Sequence, residues 1–267
     1  MKVALCLHGL VGTDDKYGKG NKLINHKVGY RHFKEHVMDV NDQVDVFIHT
    51  WSVDQKDKVV ETYSPIAIKA EPQPTTGLDR YSEEMDFHGV TTNTAGLHAN
   101  YCRWRSVKEV ISMVNSSHTE YDWILLTRFD IAFLVDFDFS TLDKDKFYAQ
   151  GPAGPFVNGL HLINDLWFAA TPKDMTLFAT LTDKMPVMKI SSEIRLPGSS
   201  GTVEMWEPRG PNYIDHVISN HQLARKHLLE TGLHDKLEYK FLREWTGADG
   251  KLSCDTPLVR WHYMNKV

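Results

Sequence analysis

The chain opens on a nearly continuous apolar run, Val3-Ala4-Leu5-Cys6-Leu7, which empties into His8-Gly9-Leu10-Val11-Gly12-Thr13. A short apolar run closed by glycine reads as a strand buried on both faces and followed by a loop. From Tyr30 the apolar positions Phe33, Val37 and Val40 recur at helical spacing until Asn41-Asp42 interrupts them, so a helix carries the chain back. Val44 to Trp51 is β-branched and aromatic and predicts a second strand; Pro65 to Ile68 predicts a weaker third. This β-α-β order predicts an α/β fold with a mostly parallel central sheet flanked by helices.

From Glu71 to Asn100 the sequence carries Pro72, Pro74, Gly77, Gly89 and Gly96 with little periodicity, which predicts a long surface loop with at most short helical turns. Trp104, Val107, Ile111 and Val114 mark a helix, and Tyr121 to Arg128 follows as the most apolar strand, expected at the sheet centre. Alternating apolar positions near Phe133 and Phe137 lead to a Gly/Pro-rich turn over Gly151 to Gly159 and a strand over Leu166 to Ala170. Thr171-Pro172 starts a helix whose buried stripe is Met175, Phe178, Leu181 and Met185. A Gly/Pro/Ser-rich loop over Leu196 to Pro211 and a helix around Ile214 to Leu228 precede strands near Leu237 to Leu242 and Leu258 to His262. No repeat and no linker divides residues 1–267, so one domain is expected.

Composition narrows the function classes. A 267-residue chain that is 42% hydrophobic and 11% aromatic, with seven tryptophans, can bury a sizeable core, which excludes a disordered or fibrous chain. Thirty Lys and Arg against 35 Asp and Glu give a net charge of −5. No broad basic field exists for nucleic acid or anionic lipid, although a local basic pocket for a phosphorylated small molecule remains open. Cys6, Cys102 and Cys254 are too few and too scattered for a disulfide framework or a paired-cysteine zinc site, so a reducing compartment is expected. The apolar run at Val3–Leu7 falls far short of the roughly 18 residues of a membrane span and has no cleavage-site context, so a cytoplasmic protein without a membrane anchor is expected.

Ligands of open α/β sheets bind beyond the carboxyl ends of the strands, and those ends are polar here: His8-Gly9, His49-Thr50-Trp51 and Arg128-Phe129-Asp130. An Arg and an Asp two apart on an extended stretch share a side, which brings a guanidinium and a metal-competent carboxylate together. Such a pairing suits phosphates bound through a divalent ion; it equally suits an internal salt bridge, and spacing leaves both readings open. No GxGxxG, P-loop, HExxH or GxSxG signature is present.

Lys2 to Leu7, Asp45 to Trp51, Tyr121 to Asp130 and Asn164 to Ala169, taken in order, resemble GT-A-type glycosyltransferases of bacterial polysaccharide clusters and large DNA viruses. The resemblance implies a GT-A-like, Rossmann-like enzyme that moves a sugar from a nucleotide-diphosphate donor, such as a UDP-sugar, to a saccharide hydroxyl with Mn²⁺ or Mg²⁺. It equates Arg128-Phe129-Asp130 with the metal-binding DxD motif, Arg standing for the first acid. Asp130 is then the metal ligand and Arg128 offsets diphosphate charge. It also implies that the loop His8 to Thr13, with Gly9, approaches the nucleotide and that Thr50 and Trp51 flank the base or ribose, Trp51 having a core alternative. The helix before the central strand brings Arg103 and Arg105; Arg105 could reach the donor or lie on a solvated face. His262 in Trp261-His262-Tyr263 could be a late metal ligand or a packed strand end. Asp165, expected to open a strand after the Gly/Pro-rich turn, and Asp215, at a helix start, compete as the base that takes the acceptor proton. A metal-dependent sugar-phosphate nucleotidyltransferase and a non-catalytic carbohydrate-binding protein are the alternatives.

Overall fold

The computed structural model describes residues 1–11, 25–74, 94–157, 160–185, 220–240 and 258–260. In chain order its first elements are β1 (Lys2–Gly9), α1 (His26–Phe33, continued by a π-helical turn over Lys34–Met38), β2 (Gln43–Thr50), α2 (Lys56–Tyr63), β3 (Ala67–Ala70) and α3 (Thr94–Asn115). There follow β4 (Trp123–Arg128), β5 (Ile131–Phe133), β6 (Phe147–Val157), β7 (Leu160–Ala170), α4 (Pro172–Ala179) and the single turn α5 (Leu181–Lys184). The last are α6 (Asn220–Glu230), β8 (Leu237–Lys240) and β9 (Leu258–Arg260).

Seven strands form one sheet in the order β3-β2-β1-β4-β7-β6-β8. β1 runs parallel to β2 and β4, β2 to β3, and β6 to β8, whereas β7 is antiparallel to both its neighbours, β4 and β6. All the other strands therefore share one direction and β7 alone opposes it. The chain builds outward from β1 through β2 to β3, then crosses back to lay β4 on the other side of β1. That reversal makes the junction of β1 and β4 a topological switch point, where strand ends splay and leave a crevice. β5 pairs separately with β9.

Alternation along the strands divides the core between two faces. Ala4 and Cys6 of β1, Phe47 of β2, and Ile124 and Leu126 of β4 pack with Trp104, Val107, Val110 and Ile111 of α3 and with Met175 and Phe178 of α4. Val3, Leu5 and Leu7, Ile48, and Trp123 and Leu125 pack on the opposite face with Phe33 of α1 and Val59 and Tyr63 of α2. β4 lies at the middle of the sheet, as its unbroken apolar run predicts, and Trp123 to Leu126 are almost fully buried. The predicted stripe Met175, Phe178, Leu181 and Met185 is buried throughout.

Three segments differ from expectation. α3 begins at Thr94, inside the stretch read as loop, because its first turns are small and polar and show no apolar period. The stretch Gly151 to Val157, read as a turn, continues β6. β8 pairs only with Phe147 to Gln150 of that strand, and the pairing with β7 shifts register repeatedly, so Pro152 and Pro155 lie where a missing N–H is tolerated. β7 starts at Leu160 rather than Leu166, which places Asp165 inside a strand and not at its start.

Gly29 seats α1 on the turn that follows β4. A Cβ there would stand 2.8 Å from the Phe129 carbonyl oxygen, so Gly29→Ala forces the helix off the turn between Arg128 and Asp130. A destabilisation of about 1–3 kcal/mol is expected. Urea denaturation measures it, and an unchanged midpoint would show that the contact yields freely.

Candidate functional site

The polar site grows directly out of the alternation. His8 continues the Ala4, Cys6 series of β1, and Arg128 continues the Ile124, Leu126 series of β4, so both leave the apolar core on the α3 side at the strand ends. The two residues are register partners across the switch point, and His8 also faces His49 of β2. The first half of α3 crosses above them and contributes Arg103 and Ser106.

Arg128 and Asp130 do share a side, although through a turn rather than one continuous strand: β4 ends at Arg128 and β5 begins at Ile131. Phe129 between them is buried and anchors the turn. Arg128 Nε donates to Asp130 Oδ1 at 2.8 Å and Nη2 donates to Asp130 Oδ2 at 2.6 Å. The bidentate internal salt bridge left open by spacing is therefore present. Arg128 keeps 24% of its side chain exposed and Asp130 9%.

A bulge brings the second carboxylate in. Pairing between β6 and β7 jumps from Ala149↔Phe168 to Gln150↔Asn164, leaving residues 165–167 of β7 opposite no partner on β6. Ile163 consequently packs on the α3 face while Trp167 and Ala169 pack on the other, a phase that strict alternation forbids. Bulges of this kind re-aim side chains. Asp165 Oδ2 lies 3.2 Å from Arg103 Nη1, its carbonyl accepts from Arg103 Nη2, and its Oδ1 lies 3.5 Å from His221 Nδ1 of α6. His221 Nδ1 also donates to the Ile163 carbonyl at 2.8 Å.

His8 is enclosed by these charges. Only 3% of it is exposed, and its Nδ1 has no hydrogen-bond partner among the described residues. Burial, with the positive charges of Arg103 and Arg128 behind it, holds the imidazole pKa well below its ordinary value, so His8 is neutral. Burial opposes the charge on Arg128, but the Asp130 and Asp165 carboxylates outweigh it and raise the guanidinium pKa further.

Beside this group lies a buried polar network that holds the backbone. The Gly9 N–H donates to Ser106 Oγ at 2.9 Å, and Ser106 Oγ lies 2.7 Å from His49 Nδ1, whose Nε2 lies 3.4 Å from Glu71 Oε1. Ser106 and His49 have no exposed surface, so this Ser-His-Glu line is a staple and not a nucleophile. Gly9 adopts φ +100°, and no atom lies within 4 Å of where its Cβ would be. Its glycine is thus explained by the bend at the end of β1, and its N–H is committed to Ser106. Thr50 is fully buried and accepts the Ser52 N–H at 3.1 Å, and Trp51 is 5% exposed with Nε1 donating to the Cys102 carbonyl at 3.2 Å. Both serve packing, because little of either remains to meet a base or ribose. Arg105 turns away from Asp130, donating to Tyr101 Oη at 3.3 Å and standing 3.8 Å from Glu71 and 3.9 Å from Glu109. Thr13, Asp215 and His262 lie outside the described residues.

Sequence reasoning set Arg105 forward where Arg103 is the arginine that enters the site. Two positions on a helix differ by about 200° around its axis, so only one can face the strand ends. The two arginines flank the buried Trp104, and Arg103, 11% exposed in its side chain against 36% for Arg105, is the one turned inward. His221 falls within the helix predicted around Ile214 to Leu228, and nothing in its local pattern marks it as a neighbour of Asp165.

The divalent ion implied by the GT-A resemblance would rest on Asp130 and His262; His262 lies outside the described residues, and the surroundings of Asp130 do not suit the ion. Both oxygens of that carboxylate already accept from Arg128, and Arg103 stands on the neighbouring carboxylate.

The buried imidazoles make stability depend on pH. Burial lowers the pKa of His49 as it does that of His8, against the pull of Glu71. Unfolding returns both to water, where they take up protons near pH 6.5, so the unfolded chain binds more protons below that value. Stability is therefore full above it and falls as pH drops, by up to about 1.4 kcal/mol per pH unit for each histidine. Urea melts between about pH 5 and 8 measure the slope; a flat profile would mean that both rings are solvated in the native chain.

The chain matches no protein-family model and no curated protein sequence.

Proposed function

We propose that the chain is a GT-A-type glycosyltransferase that binds a nucleotide-diphosphate sugar at the β1/β4 switch point and transfers the sugar to a saccharide hydroxyl. The observation that carries this reading is the placement of Arg103, Arg128 and the unpartnered Nδ1 of His8 together at the carboxyl ends of parallel strands. Guanidinium forks match phosphate oxygens, and a buried neutral imidazole can donate one hydrogen bond without adding charge. In the transfer the bond from the anomeric carbon to the diphosphate breaks with its electron pair left on the phosphate oxygen, while the acceptor oxygen bonds to that carbon and loses its proton to a general base, for which Asp215 is the remaining candidate. Positive charge fixed beside the diphosphate stabilises the developing anion.

Asp165 has a different part from the one its sequence position suggests. Its carboxylate and its carbonyl are both engaged by Arg103, and its other carboxylate oxygen stands next to His221. It serves as a counter-charge that holds Arg103 over the strand ends. A reducing, cytoplasmic setting agrees with the free thiols of the buried Cys6 and Cys102, and no helix among the described residues is long and apolar enough to cross a membrane.

Thermal shift against nucleotide sugars, nucleoside triphosphates and free oligosaccharides, each with and without Mn²⁺, tests the reading. Selective stabilisation by a nucleotide sugar is expected. Stabilisation by a triphosphate together with a sugar phosphate would replace it with nucleotidyl transfer, and stabilisation by oligosaccharide alone with a binding module.

A further inference from the structure

We propose that Arg103 and Arg128 carry the donor's diphosphate charge in place of a divalent cation, so that the donor binds without metal. This rests on the glycosyltransferase reading and adds to it how the site handles charge. A divalent ion bridging a diphosphate supplies two positive charges and a fixed geometry; the two guanidiniums, each held by a carboxylate, supply planar donor forks at fixed positions instead. Both arginines are fixed in place here. Arg103 is bound to the side chain and the carbonyl of Asp165, and Arg128 is bound through Nε and Nη2 to Asp130. Arg128 Nη1 donates to no described group, and the side chain retains exposed surface at the strand end.

His8 points to the same ligand independently. It is buried beside both arginines with an Nδ1 that has no partner among the described residues, an arrangement that costs stability unless something polar arrives there. A hydrated metal ion would find two carboxylates each already taken by an arginine; a phosphate oxygen would find three donors. The same positions that disfavour the cation therefore favour the anion.

Calorimetric titration of the full chain with UDP, GDP and inorganic pyrophosphate, each in EDTA and in Mn²⁺, is the test. At least one nucleoside diphosphate is expected to bind in EDTA with an affinity within about threefold of that in Mn²⁺, and pyrophosphate is expected to compete with it. Arg103→Gln and Arg128→Gln, each checked for native circular dichroism, are expected to weaken metal-free binding at least tenfold; the EDTA titration of the parent chain decides the matter if either variant fails to fold. Binding that appears only with Mn²⁺ would overturn the inference and leave the glycosyltransferase reading standing. Absence of diphosphate and pyrophosphate binding in both buffers would overturn both.

Discussion

Replacing Arg128 by lysine is expected to lower kcat/KM for a sugar-nucleotide donor about a hundredfold, equivalent to about 2.7 kcal/mol of transition-state stabilisation, while the chain stays folded. Lysine keeps the charge, so any loss isolates the geometry. The guanidinium spans both oxygens of Asp130 through Nε and Nη2 and has a further edge to offer a phosphate. An ammonium is a point donor that can satisfy one of those duties at a time. Because Asp130 is only 9% exposed in its side chain, an oxygen that loses its partner is poorly resupplied by water, and the ammonium will be drawn to the carboxylate rather than to the ligand. Steady-state kinetics with donor varied, together with donor titration, separates the effects: both affinity and turnover should fall. Near-normal kinetics in the lysine variant would reduce Arg128 to a generic positive charge, and the geometric account of the site would fail with it.

The parts of this site that could be read from the sequence are those set by strand alternation and by breaks in apolar runs. Val3 to Leu7 and Trp123 to Leu126 announce buried parallel strands, and the charged or titratable residues beyond them, His8 and Arg128, fall opposite each other because β1 and β4 pair in register. Gly9 is legible for a related reason, since the strand end needs a positive φ. Asp165 was visible as a residue but not in its role. Its direction depends on the residues of β7 that face no partner on β6, a feature set by pairing with a distant strand and not by local composition. Arg103 and Arg105 show the same limit on a helix. Their spacing excludes a shared duty, yet the choice between them is made by how α3 lies on the sheet, with Trp104 and Val107 buried. Trp51 illustrates the reverse, an aromatic at a strand end whose neighbours, His49 at 4.6 Å between rings and the Cys102 carbonyl, absorb it into the core.

Asp165→Asn separates a counter-charge from a catalytic base, because the two roles move stability and rate in opposite proportions. Asparagine keeps the shape, and the backbone carbonyl of residue 165 still accepts from Arg103, so the arginine remains in place. What disappears is the negative charge that faces Arg103 at 3.2 Å and that also supports the charge on Arg128. Removing one member of a buried pair costs about 3–5 kcal/mol, which for a chain of this size lowers Tm by roughly 10 °C. The two arginines, now short of counter-charge, should draw a diphosphate more strongly, so the stabilisation produced by a saturating nucleoside diphosphate should be larger in the variant than in the parent chain. Transfer at saturating donor should fall by no more than about tenfold, since no proton passes through this carboxylate. A base would behave otherwise: stability and ligand-induced stabilisation would hold, and the rate would fall by about two to four orders of magnitude. Differential scanning calorimetry with and without the nucleoside diphosphate, followed by transfer assays on the same preparations, distinguishes the two. An unchanged Tm with a collapsed rate would return Asp165 to the acceptor and remove it from the arginines.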